Sequence, residues 1–124
     1  MKTSPEDVLK SIPDFDELIK LTQEISQLMY EKLTLDNEIK EWEAHTFKTA
    51  TTDEQYFQGG KPPAVNYIDN TYKFRGLNGE IMPLRIKLAE VIAKLEGKKS
   101  LMDVYKTMIE VWRTLCSNQR TAGL

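Results

Sequence analysis

Disulfide chemistry is closed to this chain, because its 124 residues contain one cysteine, Cys116. A lone thiol suits a reducing compartment. With Trp112 and Leu115 beside it, Cys116 reads as a small buried hydrophobe on a helix. Histidine is equally scarce. His45 stands alone, and although Glu41 lies one turn before it, a single Glu/His pair lacks the third and fourth ligands that a metal site needs. No spacing of Ser, Cys and His matches a nucleophile with its base. Gly59-Gly60-Lys61 is not a phosphate loop, since Pro62 and Pro63 replace the Ser/Thr and the helix start that such a loop requires. These absences lead to a non-enzymatic protein with no catalytic residue, no metal and no cofactor. No apolar run approaches the roughly 20 residues that cross a bilayer, and Met1-Lys2-Thr3-Ser4-Pro5 does not open a signal peptide. The chain therefore reads as cytoplasmic, with no membrane partner.

What is present is charge, and it is unevenly placed. Residues 1–62 carry 7 basic and 13 acidic side chains, whereas 63–124 carry 10 and 6, so the halves stand at -6 and +4. All four arginines (Arg75, Arg85, Arg113 and Arg120) fall in the second half, where a phosphate-binding surface would have to be. The competing reading is that opposite charges pair the two halves within the fold or between subunits.

Apolar periodicity defines one mainly α domain. Ser4-Pro5-Glu6-Asp7 has an N-cap serine and a first-turn proline, which predicts a short helix over 4–11 ended by Pro13. Asp14-Phe15-Asp16-Glu17 repeats the capping pattern. After it Leu18, Leu21, Ile25, Leu28, Leu35, Ile39 and Trp42 fall on a 3,4 spacing, with Lys32 at the one interrupted site, which predicts a long amphipathic helix over 14–46. Ile19, Met29 and Leu33 widen the stripe. Two partner helices of 13 to 17 residues cannot cover it, so Leu18, Leu21, Ile25, Leu28, Met29, Leu35, Ile39 and Trp42 are expected to form a homo-oligomer interface.

The second half predicts a helical hairpin. Leu84, Leu88, Val91, Ile92 and Leu95 give one face over 83–96, Gly97 supplies a left-handed terminator, and Ser100-Leu101-Met102-Asp103 caps a second helix over 100–118. Between the helical regions, residues 47–82 form a long connector. Val65, Tyr67, Tyr72 and Phe74 have strand propensity and Asn78-Gly79 is a tight-turn signal, so a small β-hairpin is expected there. Connectors of this length in compact domains usually work or are disordered, and the aromatics argue for work.

Aromatic and basic side chains interleave from Tyr67 to Lys87. Flat rings stack on unpaired bases of any sequence while Lys and Arg neutralise phosphates, which is the combination that single-strand binding uses. The candidate nucleic-acid contacts are Lys48, Lys61, Tyr67, Tyr72, Lys73, Phe74, Arg75, Arg85 and Lys87. The order of a long acidic helix, Tyr56-Phe57-Gln58-Gly59, then Lys61-Pro62 and Tyr72-Lys73, then helices from Leu84 to Leu95 and Tyr105 to Arg120, resembles the UvsY recombination mediators of T-even-type phages. That resemblance implies a ring-like oligomer that binds single-stranded DNA and helps a RecA-type recombinase load onto strands covered by a single-strand-binding protein. Where that family is basic, just before Tyr56, this chain has Thr51-Thr52-Asp53-Glu54-Gln55, so only Lys48, Lys61 and Lys73 carry over. The second reading is a helical protein-interaction module without DNA binding, such as an adaptor, an inhibitor or a nucleotide-sequestering protein.

Overall fold

The computed structural model describes residues 14–121. The protein is mainly α. Its order is helix α1 (Phe15–Thr52), a 3-10 turn at Glu54–Tyr56, the short helix α2 (Val65–Ile68), a wide π-type turn at Asp69–Lys73 and helix α3 (Ile81–Thr121). The short helix expected over 4–11 lies outside the described residues.

Asp14 starts α1 as its sequence predicts. The Asp14 carboxylate accepts from the amides of Asp16 (3.1 Å) and Glu17 (3.2 Å), satisfying two donors that the first turn leaves without helical partners. The helix then continues past the expected end at residue 46. Its core spacing does not stop at Trp42, because Thr46 and Ala50 are both fully buried. Thr51 and Thr52 then turn their hydroxyls back onto the carbonyls of Phe47 (2.9 Å) and Lys48 (2.6 Å), and the Asp53 amide closes the last turn on the Thr49 carbonyl at 2.8 Å.

The helical hairpin over 83–96 and 100–118 is replaced by one helix, α3, of 41 residues. Gly97 ends nothing. It is not among the glycines with positive φ, and it faces outward, with nothing within 4 Å of where a Cβ would sit. The reason lies in phase. Leu84, Leu88, Val91, Leu95, Lys98, Met102, Tyr105, Ile109 and Trp112 are all buried or half-buried and step by 4 and 3 straight through Gly97. A turn there would have thrown Met102 and all that follows off that face.

The chain divides into two compact units, one built from the chain up to Gln27 and from Lys94 onward, the other from Leu28–Ala93. In the first, Ile25 of α1 and Met102 of α3 line one groove, and Lys98 Nζ donates to Glu24 Oε2 at 2.6 Å. That hydrogen bond holds the Glu24 carboxyl below its usual range against a smaller opposing effect of burial, and the charges of Lys98 and Lys20 add to it. The pair is open to water, so it orients the segments more than it stabilises them. In the second unit Leu35, Ile39, Ala50, Ile68, Ile81 and Val91 make the core.

The expected oligomer strip on α1 is therefore largely used inside the protein. Leu21, Leu35 and Ile39 are buried, Leu18, Ile25, Leu28 and Trp42 are half-buried, and only Met29 stands open. The expectation of uncovered surface assumed partner helices too short to cover the strip, and α3 is far longer. Apolar surface remains open on both long helices: Ile19, Met29 and Leu33, at the margin of the α1 stripe, are exposed, and Leu101, Val104, Met108 and Val111 on α3 are each between 42% and 53% exposed and step by 3 and 4.

Two substitutions check this architecture. Gly97→Ala removes the conformational freedom of a mid-helix glycine and should raise stability by about 0.5–1 kcal/mol in chemical denaturation; a loss of stability would restore the hairpin. Thr46, fully buried, has a hydroxyl with no hydrogen-bond partner. Thr46→Val keeps the shape and removes the unpaired group, so a gain of about 1 kcal/mol is expected by the same measurement.

Candidate functional site

The connector begins with a cap. Asp53 accepts from the Gln55 amide at 3.1 Å and from its side-chain Nε2 at 2.9 Å, which fixes the 3-10 turn through Tyr56. Phe57 is extended, and then Gln58 and Lys61 exchange two backbone hydrogen bonds, 2.8 and 3.1 Å, across Gly59-Gly60. Gly59 has φ 59° and Gly60 φ 77°. Two successive left-handed residues make a type I′ turn, which a side chain at either position would strain. A type I′ turn thus forms at Gly59-Gly60, and the turn expected at Asn78-Gly79 also forms, closed by the Gly79 amide on the Gly76 carbonyl at 3.4 Å with Gly79 at φ 78°, but it is of another type. Asn78 does not take the positive φ that a type I′ turn requires of its first central residue.

No strand forms among the described residues beyond that single bridge. Val65 and Tyr67 enter α2 instead, and Tyr72 and Phe74 follow in and just after the π-type turn. Strand propensity yields here to tertiary packing, since the helical turn of α2 places Ile68 fully buried in the core. Gly76 (φ 90°) then turns the chain into α3 with Glu80 packed so close that a Cβ would meet its Oε1 at 2.8 Å. The Arg75 carbonyl accepts from the amides of Ile81 and Met82, capping α3.

Three phenols form the centre of the connector. The Tyr72 ring meets Tyr56 edge-on at 5.7 Å and Tyr67 at 5.9 Å. Burial pushes the Tyr72 phenol above its ordinary value, and the neighbouring phenols of Tyr67 and Tyr56 push it the same way. Its proton stays on at neutral pH, and the stability it contributes is present below the ordinary phenol value and lost as pH rises through the raised one.

Beside this cluster sits a latch. Arg85 of α3 donates from Nε to the Phe74 carbonyl at 2.8 Å and from Nη2 to the Lys73 carbonyl at 3.2 Å. Its guanidinium lies over the Phe74 ring at 4.8 Å, and Nη2 is 3.8 Å from Glu43 Oε2 of α1. The same Glu43 oxygen is 3.9 Å from Lys73 Nζ, which also stands 3.8 Å from Asp69. One carboxylate thus ties α1 to the connector and to α3.

The candidate contacts divide accordingly. Tyr72, Lys73, Phe74 and Arg85 are brought together, and Tyr67 joins them through Tyr72. For Arg85 the assignment to a strand gives way to an internal one, because its donors already serve backbone carbonyls and Glu43. Lys48, Lys61, Arg75 and Lys87 are exposed and have no ion pair among the described residues, but no contact gathers them into one site. Lys87 lines a shallow groove with Met82, Pro83 and Ile86. Sequence reasoning missed Glu43, and also Lys40 and Phe47, which share a second groove with Glu43, Ala44 and Lys73. A signal existed: Lys40, Ala44 and Phe47 fall at i, i+4 and i+7 on the outward face of a helix whose core runs through Ile39, Trp42 and Thr46.

His45 packs edge-on against Trp42 at 5.6 Å. Among the described residues no three His, Cys, Asp or Glu side chains gather as metal ligands, and no helix is long and apolar enough to cross a membrane. Comparison with protein-family models, with curated proteins and with solved structures found no match.

The latch and the free cation have different expected outcomes. Arg85→Ala removes two charge-assisted hydrogen bonds and leaves Glu43 with Lys73 alone, which should cost about 2 kcal/mol of stability. Lys87→Ala, two residues on and without an ion pair among the described residues, should change stability by less than about 0.5 kcal/mol. Equal effects in paired denaturation curves would remove the latch.

Proposed function

We propose that this chain is a non-enzymatic, self-associating helical protein that binds single-stranded DNA and assists recombinase loading, the role implied by its resemblance to the UvsY mediators. The recombinase and a single-strand-binding protein are then its protein partners. The observation that carries this reading is the connector surface: Tyr67 is 40% exposed and Phe74 55%, and the same unit holds Lys48, Lys61, Arg75 and Lys87 without ion pairs among the described residues. Exposed rings cost free energy in water, and a strand offers them bases to stack on while the cations take up phosphates. One subunit neutralises only a few phosphates. Repetition of the surface in an assembly supplies affinity through multiplicity. Support for assembly comes from Leu101, Val104, Met108 and Val111, whose 3,4 spacing is that of a helix–helix seam and which nothing in the described residues covers.

That same α3 stripe also favours the second reading, a protein-interaction module with no DNA affinity. A mobility shift with an oligonucleotide of about 30 residues at about 50 mM salt separates the two. The mediator reading expects binding with little sequence preference, and log K falling by about 0.7 per log unit of salt for each phosphate neutralised. Absence of binding leaves the interaction module. Under either reading, light scattering should show an assembly that Val104→Asp with Met108→Asp reduces to monomer, while circular dichroism stays helical.

A further inference from the structure

The geometry points to a nucleotide subsite on α1, with the Phe47 ring as its stacking surface and the Lys40 and Lys73 ammoniums as its phosphate partners. It deepens the single-strand reading and rests on it, but it uses a face that the interleaved residues of the connector did not indicate. Lys40, Glu43, Ala44, Phe47 and Lys73 line one groove of about 400 Å³. Phe47 is 42% exposed although it is a large ring on an ordered helix. Ala44, one turn before it, keeps the groove open beside the ring. Lys40 has no ion pair among the described residues, so its charge is uncommitted.

Glu43 is the one anion in the groove, and its position decides whether a phosphate can enter. Its Oε2 is shared between Lys73 at 3.9 Å and Arg85 at 3.8 Å. When Lys73 turns to a phosphate, Arg85 stays on Glu43, so the carboxylate is not stranded. Asp69, the other partner of Lys73 at 3.8 Å, is exposed and water can replace the lysine there. A flat ring flanked by two flexible ammoniums fits one chemistry, a planar base joined to a phosphate. A unit of a DNA strand and a free mononucleotide both present it.

The test uses the full chain and fluorescence anisotropy of labelled oligothymidylate of about 30 residues, near 50 mM salt. Lys40→Glu should weaken binding at least about tenfold, and Phe47→Leu about threefold or more, with helix content unchanged by circular dichroism. Phe47→Trp should bind like the parent, with its added fluorescence quenched by the oligonucleotide. Quenching by thymidine monophosphate as well would show that a free nucleotide suffices; quenching by the oligonucleotide alone would make the site one for strands. Wild-type binding that neither Lys40→Glu nor Phe47→Leu weakens overturns the subsite and leaves the single-strand reading standing. If the wild-type chain does not bind the oligonucleotide, the single-strand reading fails; the subsite then survives only if thymidine monophosphate quenches Phe47→Trp, and falls with it otherwise.

Discussion

A helix of 41 residues with a glycine near its middle persists here because its inward positions never fall out of phase. From Leu84 to Trp112 the covered residues of α3 step by 4 and 3 without a break, and Gly97 sits on the opposite side, where the absence of a side chain removes no packing. A mid-helix glycine costs about 1 kcal/mol relative to alanine. Burying Leu95 and its half-buried neighbours Lys98 and Met102 outweighs that by several-fold, at about 25 cal/mol per Å² of apolar surface. The helix is therefore a consequence of packing, with local propensity overruled at one position.

The connector lives under a different constraint. Outside α2 and the π-type turn it has no repeating hydrogen-bond pattern to satisfy its backbone, so polar groups there are met by separate devices. Asp53 caps the 3-10 turn, the Gly59-Gly60 turn closes Gln58 on Lys61, Arg85 takes the carbonyls of Lys73 and Phe74, and Arg75 offers its own carbonyl to the start of α3. The rings of Tyr56, Tyr67 and Tyr72 add apolar contact at the centre. Few of these devices are redundant. Loss of Arg85 would release two carbonyls and one ring and leave Glu43 to Lys73 alone, because a single planar guanidinium serves all of them.

How much of this was legible in the sequence follows from how each feature is encoded. Periodic features were readable: the Asp14 cap, the α1 stripe and the buried face of α3 all repeat at fixed spacing. The end of α1 was missed because Thr46 and Ala50 continue the core with residues that are not strongly apolar. The hairpin at Gly97 was a false boundary for the opposite reason, since a glycine and a following Ser-Leu-Met-Asp imitate a terminator and a cap when read locally. Within the connector, composition indicated turns and rings but not that Gly59-Gly60, rather than Asn78-Gly79, makes the type I′ turn. The Glu43–Arg85–Lys73 junction could not be read at all, because it joins positions 43, 73 and 85 through tertiary contact.

The charge asymmetry between the halves is explained in part by the same contacts. Three second-half cations meet first-half acids inside the two units: Lys73 and Arg85 at Glu43, and Lys98 at Glu24. Opposite charge thus serves pairing within the chain, as one of the two readings of the sequence held. It does not exhaust the cations, because Arg75, Lys87, Lys94, Lys99, Lys106 and Arg113 form no ion pair among the described residues. A polyanion approaching this protein would meet those side chains together with an excess of carboxylates on α1. At an ionic strength of 0.15 M the screening length is about 8 Å, so only the nearest charges would matter. Local placement of cations, rather than the net charge of -2, therefore governs whether a phosphate backbone is attracted.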